Sequence, residues 1–472
     1  MENLIEFEKI DRSILQILLM DRTTGKNIIW ATDSYSHLGP AYERDKQIFI
    51  DQIRDTGIIE PRIQKALEVQ KERTKKNAEV FTPAWICNHM NNQVEIDWLS
   101  QESVFAAEIS NSWETSKEKI RFRTKAGWKK YIRRRVLEIT CGEAPFLVSR
   151  YDSSTGESIP VNERIGLLDR KLRIAAENTR TAEEWFSWVL SGLKRTYGYE
   201  FQGDSLLLGR INVFLAVVEA MNVLWNKHPD LGQQKEIATI ISWNLFQMDG
   251  LTDCIPIGVP EDRYIQPTLF DFFNKSQDGN KTAPPIKIDW WDKSKRFQFR
   301  DMKEGEIMGK KFDVVIGNPP YQDESNGEDR NYAPPIYNEF MSESYKIADK
   351  VLLITPARFL FNAGSTPKKW NEERLSDPHF KVAYFEPDSR KIFPGLSTPI
   401  KGGITITYRD STKDFGPIKA YSQFPELNTI LKKVDNSKDF HSLSSIVYSR
   451  TSFRLTHLLG MSNILCKSVF GS

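Results

Sequence analysis

A chain of 472 residues is long enough for two or three domains and a large core. Its formal charge of +2 gives no global case for a polyanion-coating protein, and its four cysteines, Cys87, Cys141, Cys254 and Cys466, show no CxxC pair and no histidine at ligand spacing. No stretch approaches the roughly 20 consecutive apolar residues of a spanning helix, and the acidic start "MENLIEFEKIDRS" lacks a basic leader, so a cytoplasmic protein with no metal site is expected.

In chain order, residues 1–75 read as a helical, polar N-terminal segment, with "SILQILL" as an apolar turn and "EPRIQKALEVQKERTKK" as an exposed charged helix. From 76 to 410 apolar strand candidates alternate with helical stretches: "RRVLEIT", "RIGLLD", "KFDVVIG", "KVLLITP", "KVAYFEP" and "GGITITYR". Such alternation predicts an α/β, doubly wound sheet. Residues 222–310 are expected to form an insertion, helical at first and then loops, and "DESNGEDRNYAPP" a loop over a site. The basic runs "KERTKK" and "KKYIRRR" could meet phosphates, although such runs are usually solvated faces.

Chemistry is concentrated at strand ends, where open α/β sheets bind ligands. In "VLEITCGEAPFLVSRYD", Gly142 and Ala144 are small residues that let a ligand approach the backbone, and Glu138 supplies an acid; an ordinary strand and tight turn would look the same. "RIGLLD" ends in Asp169, whose carboxylate could accept the hydroxyls of a ribose or simply cap the helix that follows. In "EFQGDSLLL", Asp204 stands behind a glycine, where it could bind an exocyclic amine or serve as a turn residue. Upstream, "NAEVFTPAWICNHMNN" places Phe81, Thr82 and Pro83 before a helix, with Thr82 a candidate N-cap and Pro83 in the first helical position.

The sharpest signal is "FDVVIGNPPYQ". A short buried strand stops at Gly317, and two prolines stiffen the turn that presents Asn318, Pro319, Pro320 and Tyr321. An exocyclic aromatic amine is a poor nucleophile because its lone pair is delocalised into the ring. The Asn318 side-chain oxygen and the Pro319 carbonyl could bind its two N–H groups, while Tyr321 stacks on the ring. A proline-stiffened turn or a polyproline ligand are the plainer readings of the four residues.

Taken in order, these motifs resemble the S-adenosylmethionine-dependent DNA adenine-N6 methyltransferases of γ-class arrangement, in particular the methylation subunits of bacterial type II restriction-modification systems. The resemblance covers roughly residues 50 to 410. It implies a Rossmann-like class I methyltransferase sheet, S-adenosylmethionine as methyl donor, double-stranded DNA as substrate, base flipping, and a restriction endonuclease or specificity subunit as partner. It further implies that Phe81, Thr82, Pro83, Glu138, Gly142, Asp169 and Asp204 hold the cofactor and that Asn318, Pro319, Pro320 and Tyr321 are catalytic. Phe393, in "KIFPGLSTPIKGGITI", would stack on the other face of the flipped base. Residues 411–472 are expected to be the start of an incomplete target-recognition region. The alternatives at this stage are a silent or truncated DNA-binding subunit and a methyltransferase for cytosine N4, RNA or protein glutamine.

Overall fold

The computed structural model describes residues 4–54, 56–65, 82–100, 104–260, 282–291, 296–304, 311–322, 334–394, 396, 399–435 and 446. The chain divides into two compact units, Met1–Lys419 and Ala420–Ser472.

At the centre of the first unit lies a seven-stranded sheet. Its strands are β1 (Val136–Ile139), β2 (Thr196–Glu200), β3 (Leu245–Gln247), β4 (Phe312–Gly317), β5 (Ala348–Pro356), β6 (Phe380–Glu386) and β7 (Ile404–Asp410). Across the sheet they run β3-β2-β1-β4-β5-β7-β6. Pairs among β1 to β5 are parallel, whereas β7 runs antiparallel to both β5 and β6. The order reverses between β1 and β4, which makes their carboxyl ends the switch point of a doubly wound sheet. This is the doubly wound α/β sheet that the sequence led one to expect.

The central strands are apolar on both faces because helices cover both. Val136, Leu137, Val314, Val315, Ile316, Leu352 and Leu353 are all fully buried. Between β1 and β2 run α4 (Leu167–Asn178) and α5 (Ala182–Leu193), following α1 (Arg12–Leu19), α2 (Ala84–Glu95) and α3 (Gly127–Ile132). Then come α6 (Gly203–Trp225), α7 (Leu231–Asn244), α8 (Tyr337–Ile347) and α9 (Lys368–Ser376). α6 is long and apolar enough to pass for a membrane span by composition, but 72% of that stretch is buried inside the protein, where it flanks the sheet. A buried ionic cluster fixes α2: Glu95 accepts from Tyr131 and Arg170 and from Arg134 Nη2 at 3.2 Å.

Two expectations are corrected here. "RIGLLD" is no strand; its apolar residues open α4, and the strand beside β1 is Thr196–Glu200. Nor does the proposed insertion begin at 222, since α7 and β3 lie within it and β3 is the edge of the main sheet. Among the described residues between β3 and residue 310, the elements are a pair of short two-stranded ribbons, Val259–Pro260 with Thr282–Ala283 and Lys287–Asp289 with Arg296–Gln298, and one helical turn, Arg300–Lys303.

The second unit contains α10 (Pro425–Asp435). Asn428 exchanges two 2.7 Å hydrogen bonds with the main chain of Ser422, pinning the segment that leads into the helix.

Candidate active site at the switch point

β1 and β4 end side by side, with Gly317 opposite Ile139. A Cβ on Gly317 would stand 2.6 Å from both the carbonyl oxygen and Cγ1 of Ile139, so only glycine allows the two strand ends to approach this closely. Asn318 follows immediately. Its main-chain carbonyl accepts from Thr140 Oγ1 at 3.0 Å, and its Nδ2 donates to Thr82 Oγ1 at 3.3 Å. Thr140 adopts φ 44°, a left-handed conformation costly for a β-branched residue. Its one hydroxyl proton is shared with Ile139 O, 2.8 Å away, so this residue sits between the end of β1 and the asparagine loop.

Thr82 is buried at 2% exposure and does not cap a helix. α2 starts at Ala84 with Pro83 in the capping position, and Ala84 N donates to Asp152 Oδ2 at 3.0 Å. Thr82 instead spends its hydroxyl on Asn318, and its carbonyl accepts from Ser153 Oγ at 2.9 Å. Phe81 lies outside the described residues. Pro319 is buried, and Pro320 and Tyr321 are half-buried, with the Tyr321 phenol pushed above its ordinary pKa by burial. Tyr321 is anchored through its carbonyl, which accepts from Ile336 N at 3.2 Å.

After β1 the chain turns through Gly142 at φ 50° and Ala144 at φ 64°. The alanine occupies a backbone region that favours glycine. Gly142 N donates to Glu200 Oε2 at 2.9 Å, while Glu200 Oε1 accepts from Phe201 N and Gln202 N at 2.9 and 3.0 Å. Glu200 therefore ends β2 with its carboxylate turned into the loop after β1. One strand further, Asp249 follows β3, half-buried, its Oδ1 accepting from Leu251 N at 2.9 Å. Sequence reading passed over both acids.

Four expected site residues sit elsewhere. Asp169 is the third residue of α4, and its Oδ2 accepts from Ser149 N at 2.8 Å and Gly166 N at 3.1 Å; burial raises its pKa. It secures a helix start rather than a strand end. Asp204, in the first turn of α6, is fully buried and accepts from Tyr35 Oη at 2.8 Å and Lys65 Nζ at 3.3 Å. Glu138 points into the core, accepting from Leu147 N at 3.1 Å and Phe146 N at 3.4 Å, with burial pushing its carboxyl well above the usual range. Phe393 is 3% exposed and packs in the hydrophobic core, so it offers no open face to a base.

Glycine at a switch point, an asparagine braced from two sides, an acid ending β2 and another just after β3 lie along the carboxyl edge of the sheet. Residues 196–393 match the Eco57I restriction-modification methylase family. That match begins at β2 and runs through the asparagine loop to Phe393. Over 96 residues the chain is also 34% identical to an uncharacterized adenine-specific methylase of Mycoplasma pneumoniae, which amounts to 20% of this chain and 22% of that protein. Among solved structures it is similar to the type I restriction-modification methyltransferase subunit of Streptococcus thermophilus (12% identity, 74% of this chain and 49% of that one, TM-score 0.29). A modification subunit of a putative type I restriction enzyme from Vibrio vulnificus YJ016 is similar at 13% identity, over 82% of this chain and 60% of that one, with a TM-score of 0.31. The chain thus spans less than two thirds of each of these proteins. Likeness at such TM-scores adds nothing to the strand order, which stands on the pairing registers.

Proposed function

We propose that this methylase chain transfers a methyl group from S-adenosylmethionine to the N6 amine of adenine in double-stranded DNA, as the modification arm of a cytoplasmic bacterial restriction-modification system. The observation that carries the proposal is the placement of Asn318. Its Nδ2 donates to Thr82 Oγ1 and its main-chain carbonyl accepts from Thr140 Oγ1, which together hold the side chain in a fixed orientation at the switch point.

The donor set fits the cofactor. Sheet strands lie about 4.8 Å apart, so the Gly142 loop, Glu200 and Asp249 supply a close-approach backbone and two carboxylates at successive steps along the carboxyl edge. In this reading Gly142, with Phe81, Thr82 and Pro83, holds the methionine end, Glu200 accepts the ribose hydroxyls and Asp249 the adenine amine of the cofactor. Glu200 and Asp249 replace Asp169 and Asp204 in those roles. Bound there, S-adenosylmethionine supplies an electrophilic methyl group.

The chain's own residues prepare the acceptor. A paired adenine hides its amine, and extruding it costs a few kcal/mol, which stacking on Tyr321 offsets by roughly 1 to 3 kcal/mol. Asn318 Oδ1 and the Pro319 carbonyl accept the two N–H bonds of the amine, drawing its nitrogen toward a tetrahedral, nucleophilic geometry, and Pro320 keeps the loop from relaxing. Asn318 and Pro319 then face the proton that the product nitrogen must lose. A cognate endonuclease or specificity subunit is the partner this role calls for.

The test uses mixed-sequence duplex DNA and cofactor labelled on its methyl group, followed by digestion to nucleosides. Label in N6-methyladenine, absent with Asn318→Ala, is the expected result. Label in N4-methylcytosine, or transfer that survives Asn318→Ala, overturns the proposal.

A further inference from the structure

Described residues of the N-terminal segment lie across the carboxyl ends of three strands. Ile29 exchanges two hydrogen bonds with Gln247, the last residue of β3: Ile29 N donates to Oε1 at 2.9 Å, and Nε2 donates to Ile29 O at 2.8 Å. The next carbonyl, Trp30 O, accepts from Gly203 N at 2.9 Å. A Cβ on Gly203 would stand 1.9 Å from Ile29 O, so the segment passes over the first turn of α6 too closely for any other residue. Arg62 N donates to Glu143 Oε1 at 2.7 Å, in the loop after β1.

The fourth contact is ionic. Lys65 Nζ lies 3.3 Å from Asp204 Oδ2, with the two side chains 9% and 0% exposed. Tyr35 Oη donates to the same oxygen at 2.8 Å, the ammonium sits 6.0 Å from the Tyr35 ring centroid, and Trp30 packs on that ring at 4.7 Å. A carboxylate with no solvent exposure needs a counter-charge to stay ionised. Lys65 provides it at the turn whose N–H groups, on Phe201 and Gln202, hold the Glu200 carboxylate.

We infer that the segment carrying Ile29, Trp30, Tyr35, Arg62 and Lys65 is a fixed wall of the cofactor site, with Lys65 a positioning residue that sets Glu200 through Asp204 and the first turn of α6. The inference rests on the reading of Gly142 and Glu200 as cofactor-holding residues. It assigns to the N-terminal segment a role in cofactor affinity and none in the transfer step. Lys65 acts on the adenosine half of the site, because Asp204 stands four positions beyond Glu200 at the end of β2.

The experiment measures S-adenosylhomocysteine affinity by calorimetry, and kcat and KM for S-adenosylmethionine, in the full chain. Lys65→Met should raise Kd and KM roughly ten-fold with kcat at saturation within about two-fold, and Lys65→Arg should restore affinity to near wild type. If Lys65→Met fails to fold, the doubly neutral Lys65→Met/Asp204→Asn variant carries the test, with the same expected loss. Unchanged or tighter cofactor binding in these variants, or a fall in kcat at unchanged Kd, overturns the inference. A wild-type chain that binds no S-adenosylhomocysteine overturns the cofactor reading beneath it.

Discussion

Asn318 Nδ2 donates to Thr82 Oγ1 at 3.3 Å although the two residues stand 236 positions apart. The bond joins the residue proposed to act on the amine to the motif that opens α2. It also fixes which branch of the amide is the acceptor. Thr82→Val keeps the shape of the side chain and removes the oxygen, so the amide is free to rotate. The expected outcome is a fall in kcat of about ten-fold or more, corresponding to about 1.4 kcal/mol of transition-state stabilisation, and larger than any accompanying loss of cofactor affinity at the methionine end. Thr82→Ser should recover most of it. Equal kcat in the valine variant would show that Asn318 is oriented by other groups.

The exchange of Asp169 and Asp204 for Glu200 and Asp249 makes a second prediction. Glu200→Ala removes a strand-end carboxylate from the loop after β1, and hydrogen bonds to a charged group are worth roughly 1.5 to 3 kcal/mol. Cofactor affinity should fall on the order of ten- to a hundred-fold. Asp169→Asn should leave that affinity near wild type and lower the melting temperature, because Asp169 serves Ser149 and Gly166. Calorimetric titration of both variants decides between the two acids, and the reverse ranking would restore the sequence-based assignment.

Particular residues explain why the sequence showed one set of strands and hid the other. β4 and β5 carry the apolar runs Val314–Ile316 and Val351–Ile354, bounded by glycine or polar residues, and those short runs, rich in β-branched residues, mark them plainly. β2, "TYGYE", alternates aromatics with glycine and carries little aliphatic signal, while β3 is three residues long and follows α7 with no turn between Asn244 and Leu245. "RIGLLD" has the length and apolar content of a strand, but Ile165, Leu167 and Leu168 are buried at the start of a helix, and periodicity cannot separate those cases over six residues. The asparagine loop was legible because two prolines and a glycine leave few backbone choices. The acid positions were not, because they depend on which strand lies beside β1. The same holds for Phe393, whose burial follows from tertiary packing.

Glu138 offers a pH test. Burial, with a smaller contribution from Glu200, pushes its carboxyl well above the usual range, and the N–H groups of Phe146 and Leu147 offset this only in part. The folded protein holds a proton that the unfolded chain releases at lower pH. Its stabilising contribution is therefore complete below the unfolded-chain pKa and is lost as pH rises toward the folded value. Glu138→Gln never ionises and keeps one acceptor oxygen, where the two N–H groups bind separate oxygens of the carboxylate. The variant's melting temperature should therefore rise relative to wild type between pH 4 and pH 8. A variant that loses stability relative to wild type over that range would show that the ionised carboxylate is what those N–H groups require.

Gly317 ties stability to chemistry at one atom. An added Cβ would meet Ile139 O and Cγ1 at 2.6 Å, and the oxygen belongs to a strand end that cannot move without dislodging Thr140. Gly317→Ala should therefore cost about 1 to 3 kcal/mol of stability, as overpacked cores do. Because Asn318 is the next residue, the strain is also passed to the proposed catalytic amide. A displacement of about 1 Å at a reacting centre can cost on the order of a hundred-fold in rate, so kcat should fall well beyond what the loss of folded protein explains. Measuring turnover on the folded fraction, at a temperature far below the variant's melting point, separates the two effects. If turnover per folded molecule equals that of wild type, the close approach of β1 and β4 serves packing alone.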